Sequence, residues 1–262
     1  MPCGGTSLAT SARPAIVRCD HPAPGRTPVV TRAVAMRWPV GPAACEARGV
    51  PRRNRVDPWG DLHAVAARGL LTGNRGCVVD DHERVVRHHG SALWIACVTK
   101  FRDWRFPLAR PRRWTPLFFL DDAVALAAGH RPCATCRRAD YVAYRDAVTR
   151  AVDAPAPLLG AELNKRLQAE RHRPGRGLDR ARDRIVWTAP FAELPDGTVI
   201  VAPDHSCQLV IEDRLMRFSF EGWSTETRRP RAGLTPVLTP PTSVAALRHG
   251  YPLLLHPSAK RS

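Results

Sequence analysis

The stretch Leu117-Phe-Phe-Leu-Asp-Asp-Ala-Val-Ala-Leu-Ala-Ala-Gly-His-Arg-Pro-Cys-Ala-Thr-Cys-Arg-Arg138 carries several structural signals in a fixed order. Leu117–Leu120 is a short apolar run of the kind that fills a buried strand. Asp121 is an N-cap residue type, and the alanine-rich run from there to about Ala128 favours helix. Gly129 is the stop, because glycine enters the left-handed conformation that closes a helix without strain. His130-Arg-Pro then leads into Cys133-x-x-Cys136. Behind it, Arg137–Val152 sets Tyr141, Tyr144, Ala147, Val148 and Val152 on one side of a longer amphipathic helix. A strand, a helix, a cysteine turn and a second helix in succession indicate an α+β fold.

Upstream, Ala92–Thr99 reads as a second buried strand, and Cys77–Val79 with Glu83–Val86 as a hairpin around Asp80-Asp81. Asp61–Leu71 has Leu62, Val65, Ala66 and Leu70 at helical spacing and is predicted as a short helix. Thr72-Gly-Asn-Arg-Gly76 reads as a turn, and Pro51–Pro58 as a charged, breaker-rich linker. Downstream, Leu158–His172 is a charged-rimmed helix and Arg173–Arg184 a Gly/Arg-rich loop. Thr198–Ala202, Cys207–Ile211 and Leu215–Phe220 alternate as a small antiparallel β unit, and Ser243–Arg248 is a short helix. The expected division is a disordered or mis-started tail over 1–58, a module over 59–152, and a helix plus β unit over 153–262 packed on that module as one domain.

The 262 residues carry 40 Lys+Arg against 24 Asp+Glu, a formal charge of +16, and 44% hydrophobic residues. The apolar content excludes wholesale disorder. Only Lys100, Lys165 and Lys260 are lysines, so the charge is almost all arginine. Codon bias in a GC-rich genome writes such a skew, and so does selection for an anionic partner such as nucleic acid. No apolar run approaches the roughly 20 residues of a membrane span, and no secretory h-region opens the chain. A cytoplasmic location without membrane contact is the expectation, which makes the cysteines metal ligands or free thiols rather than disulfides. The chain holds no P-loop, no Gly-x-Gly-x-x-Gly, no Gly-x-Ser-x-Gly and no His-Glu-x-x-His. NTPase, dinucleotide, α/β-hydrolase and zincin readings therefore lose their usual support.

Cys133-x-x-Cys136 at a turn into a helix is the geometry of a zinc knuckle. Its backbone amides face the sulfurs, and two thiolates can grip one ion at about 2.3 Å each. A redox pair would need a preceding βαβ pattern, which is missing. Taken with the strand, the Ala-rich helix and Gly-x-Arg-Pro before it, the motif resembles the second half of the Ada-type zinc domain, the metal-binding module of bacterial alkylation-repair proteins. The likeness spans about residues 97–138. It implies Zn2+ as cofactor and a further pair of cysteines upstream, for which Cys97 is the candidate. The position that would hold its partner is Phe101. Cys97, Cys133 and Cys136 are thus expected as ligands. For the fourth, His89 or His88 comes first, Cys77 second and His130 third, and a water is the remaining option. His130 stands where the family has an aromatic residue, so packing is its expected role.

Lys100, Arg102, Trp104, Arg105, Arg112 and Arg113 interleave basic and aromatic residues before the motif, and Arg131, Arg137 and Arg138 lie within or just after it. Arginines grip phosphates bidentately and aromatic faces stack on unpaired bases. This gathering of charge around the cysteine turn favours a zinc protein that binds nucleic acid, DNA first, in repair or processing. Two enzymatic alternatives stand beside it. One is a zinc-bound thiolate at Cys97 accepting an alkyl group, as the resemblance implies. The other is a hydrolytic site with Glu170 as general base. A structural zinc protein with protein partners is the third option.

Overall fold

The computed structural model describes residues 51–103 and 113–260. In chain order the elements are β1 (Arg55–Val56), β2 (Leu62–His63), β3 (Leu71–Asn74), β4 (Ile95–Val98), β5 (Leu117–Phe119), α1 (Asp122–Ala127), β6 (Arg131–Pro132), α2 (Arg138–Ala151) and α3 (Gly160–Arg171). Then come β7 (Trp187–Pro190), β8 (Val199–Val201), β9 (Cys207–Ile211), β10 (Arg214–Ser219), β11 (Gly222–Arg228), β12 (Leu234–Val237) and α4 (Pro241–Arg248). The fold is α+β with two six-stranded sheets, ordered β2-β1-β5-β3-β4-β6 and β11-β10-β9-β8-β12-β7. No helix among the described residues is long and apolar enough to cross a membrane.

The opening stretch folds as its chemistry dictates. The Asp121 carboxylate accepts from the Val124 amide at 3.1 Å, and every residue of α1 is buried. Gly129 closes the helix with φ +84°. A Cβ there would sit 2.6 Å from Arg171 Cγ, so glycine also allows the end of α3 to lie against the turn. The hairpin around Asp80-Asp81 forms through a Val79–Val85 bridge.

Two upstream expectations are corrected. Asp61–Leu71 is not a helix: Leu62–His63 pairs with β1, and Leu71 begins β3. Its apolar spacing fits a helix, but Leu70 is drawn into the sheet by a 2.9 Å bond from its amide to Leu120 O. Tertiary pairing overrides a short local period. Thr72–Asn74, read as part of a turn, lies in the strand between β4 and β5. Gly73 permits this, since a Cβ would lie 2.1 Å from Ile95 O and 2.9 Å from the Phe119 ring. Pro51–Pro58 is likewise not a linker, because β1 runs parallel to β5 with Arg55 opposite Phe118.

The C-terminal sheet shares one core with the N-terminal half. Val56, Leu71, Leu117, Phe119 and the α1 alanines pack with Val199, Leu209, Met216, Trp223 and Leu238. A second cluster joins Tyr144, Val148 and Leu163 to Ala246 and Tyr251, so α2, α3 and α4 pack together. Trp187–Pro190, Gly222–Arg228 and Leu234–Val237 add three strands to the β unit read from the sequence.

Candidate metal centre

The two cysteine-bearing segments meet through a strand of only two residues. β6 runs parallel to β4, with Ile95 opposite Arg131 and Ala96 opposite Pro132. The Cys133 amide donates to Ala96 O at 2.9 Å, continuing the ladder by one residue. Neighbouring strands lie about 4.8 Å apart, so this register sets Cys133 beside Cys97. The turn that follows, closed by Arg137 N to Cys133 O at 3.1 Å, brings Cys136 back to the same place.

The sulfurs of Cys97, Cys133 and Cys136 lie within 4.8 Å of one another, and the three residues can hold a metal ion. Among the described residues this is the only such group of three or more. The Thr135 amide points at Cys133 Sγ at 3.4 Å, and the Cys136 amide also faces it. Hydrogen bonds from the Cys136 and Cys97 thiols pull the Cys133 thiol well below the ordinary range. Those bonds to Cys133 raise Cys97 and Cys136 in turn. The buried Arg131 guanidinium is a nearby positive charge that feels Cys133 and Cys97. Such crowded thiols, cationic surroundings and inward amides suit a thiolate-binding cation.

None of the four side chains considered for the fourth position joins the group. His89 is exposed, with its ring 5.4 Å from Trp94 and 5.4 Å from His88. His88 is buried, facing Gly60 O at 2.9 Å and the Trp94 ring at 5.6 Å. Trp94 precedes Cys97 by three residues, about 10 Å of extended chain, which explains the separation. Cys77 is buried with its thiol towards Val79 O at 3.5 Å. His130 is fully buried between Trp94 and Phe119, at 5.0 and 4.6 Å, which matches the packing role expected of it. Residues 104–112 contain no Cys, His, Asp or Glu to offer.

The basic residues divide by burial. Lys100, Arg102, Arg113 and Arg138 are exposed, and Trp104, Arg105 and Arg112 lie outside the described residues. Arg131 and Arg137 are corrected as nucleic-acid contacts, because both are 5% exposed and already spoken for. Arg137 grips Asp122 through two bonds, at 2.6 and 2.9 Å, and reaches Asp140 at 2.6 Å. Arg131 donates to Asn164 Oδ1 at 2.8 Å and to Pro132 O at 3.0 Å, with its guanidinium over the Tyr141 ring. Together they hold the cysteine turn onto α1, α2 and α3. The only sequence hint was a second aspartate after Asp121, one more than an N-cap needs.

Glu170 is corrected as a general base. Its carboxylate accepts from the Thr242 amide at 3.0 Å and the Thr242 hydroxyl at 2.6 Å. It caps α4, whose own N-cap residue is Pro240 and offers no side-chain acceptor. Glu170→Ala is therefore expected to cost about 1 kcal/mol of stability, as the loss of a cap does, and to leave metal binding unchanged. Urea unfolding with a metal titration on the same variant checks both. Asp204-His-Ser206 forms the turn into β9, with Asp204 accepting from the Ser206 amide and hydroxyl.

Comparison of the chain with protein-family models, curated proteins and solved structures returns no match.

Proposed function

We propose that this protein binds zinc through Cys97, Cys133 and Cys136 and uses the resulting surface to bind nucleic acid, DNA first, in a repair or processing role. The observation that carries the reading is the convergence of three sulfurs from segments more than thirty positions apart, held by the β4–β6 register. Thiolate ligands favour zinc over the oxygen-seeking cations. Bound there, zinc would cross-link β4 to the turn before α2 and neutralise the thiolates that the fold crowds together.

The nucleic-acid part is supported by the exposed basic residues beside the thiol group. Lys100 and Arg102 follow Cys97 within five residues and Arg138 follows Cys136 by two, all exposed; Arg113, also exposed, leads into β5 towards the other end of the sheet, where Thr115 bonds Gly76. Three phosphate contacts give a salt slope of about −2.7, so affinity for a DNA oligonucleotide should fall roughly fortyfold between 50 and 200 mM salt. The double variant Arg102→Glu/Arg138→Glu should weaken binding further and flatten that slope, with the fold and metal retained. Fluorescence anisotropy across a salt series tests this. Negligible affinity at 50 mM salt, or affinity indifferent to the double variant, overturns the nucleic-acid reading.

A further inference from the structure

A second site lies at the other end of the segment that carries Cys97, where Arg75, Arg171 and Arg184 converge on the end of α1. All three are 2% exposed or less. Arg171 Nε donates to Gly129 O at 2.9 Å and its Nη1 to Ala92 O at 3.1 Å. Arg184 Nη2 donates to Ala127 O and to Leu238 O. Arg75 Nη1 donates to Gly60 O at 2.7 Å. Burial lowers Arg75 and Arg171 to about 9 and Arg184 to about 10, so all three are charged at neutral pH.

Asp57 and Asp61 offset part of that charge from a distance, and no group among the described residues pairs with it directly. A helix C-terminus offers about half a negative charge against three positive ones. No carboxylate among the described residues lies within ion-pair distance of the three. The nearest buried one, Asp61, is occupied by the Arg180 and Ala181 amides at 2.6 and 3.2 Å. Trp94 offsets part of the cost, with Arg171 Cζ at 4.3 Å and Arg75 Cζ at 4.9 Å from its ring. Ring contacts leave the N–H groups without acceptors, however. Arg75 Nε and Nη2, Arg171 Nη2, Arg184 Nε and Nη1, and His172 Nε2 are all buried and unpartnered. Unpartnered donors of this kind require an explanation, and here they belong to guanidinium groups close enough to repel one another beside the end of α1. Nε and Nη2 of Arg75 form one edge of the guanidinium, the edge that offers two parallel N–H bonds to an oxyanion.

We propose that Arg75, Arg171 and Arg184, beside Trp94 and His172, form an internal site for one small phosphate-class oxyanion. The free edge of Arg75 grips two oxygens, and Arg171 and Arg184 neutralise the remaining charge. The site shares no residue with the thiol group and stands independently of the zinc reading. Full burial of the three guanidinium groups selects a small free oxyanion over a polymer backbone. His89, exposed yet in ring contact with His88 and Trp94, marks the side nearest solvent.

The test uses the full chain purified in chloride buffer free of phosphate and sulfate. Inorganic phosphate is titrated at constant ionic strength, following the melting temperature and the bound phosphate by equilibrium dialysis. The expected result is a saturable rise in melting temperature with one phosphate per chain. Arg75→Gln should weaken that binding by about tenfold or more, since it removes a charge-assisted bidentate contact. If that variant does not fold, dialysis of the native protein decides alone, with one saturable site required. A parallel titration with a nucleoside 5′-monophosphate tells which source the site prefers. No saturable binding of either, a phosphate shift equal in Arg75→Gln, or stabilisation by an unphosphorylated oligonucleotide but by neither small anion overturns the proposal.

Discussion

Asp122→Ala is expected to destabilise the folded chain by about 3–5 kcal/mol, the cost of breaking a buried ion pair by removing one partner. The Asp122 and Arg137 side chains are 1% and 3% exposed, so water cannot replace either partner. The Asp122 carboxylate also accepts from the Leu254 amide at 2.9 Å and faces the Tyr251 hydroxyl at 3.4 Å. Removing it leaves the Leu254 amide without its acceptor and the Arg137 guanidinium with only Asp140, whose side chain is 37% exposed. The effect should reach the metal. Arg137 follows Cys136 directly, and its grip on α1 fixes the direction of the cysteine turn. A lost supporting partner of that kind typically weakens metal affinity by about 10–100-fold. Urea unfolding gives the stability change, and a chelator competition on the folded fraction gives the affinity change. A variant as stable as the parent would show that the pair is not holding the turn.

Cys133→Ser is expected to remove the metal altogether, beyond the loss that a supporting residue brings. Cys133 sits between the other two sulfurs in the hydrogen-bond chain and receives the amides of the turn. Serine keeps the size but supplies a poor ligand for zinc. The pH dependence follows from the thiols. Cys97 and Cys136 hold their protons through their bonds to Cys133, so metal must displace those protons to bind. Affinity should therefore rise from pH 6 to pH 8 and fall as acid returns the protons. Chelator competition at the two pH values checks the sign.

What the sequence disclosed and what it hid follow one physical rule. Asp121, the alanine run, Gly129 and the cysteine turn act within a few residues of one another, so their roles were readable from local chemistry. The third ligand, Cys97, was reached through resemblance, and its geometric cause was out of sight. β6 is two residues long and has no period to detect, yet its register is what seats Cys133 beside Cys97. The charges were harder still. Arg131, Arg137 and Arg138 are alike in sequence, but partners contributed by Asp122, Asn164 and Tyr251 bury the first two. Glu170 looked like a free carboxylate on a charged helix because Thr242 lies far along the chain. Asp61–Leu71 failed for the same reason, a local helical spacing overruled by pairing with β1 and β5. Long-range partners decided each of these cases.

Zinc content measured together with X-ray absorption at the zinc edge tests the three-thiolate centre most directly. Protein purified without added chelator should hold one zinc per chain with three sulfur neighbours at about 2.3 Å. A chain that retains no zinc when zinc is supplied, or holds it with fewer than three sulfurs, would contradict the centre formed by Cys97, Cys133 and Cys136.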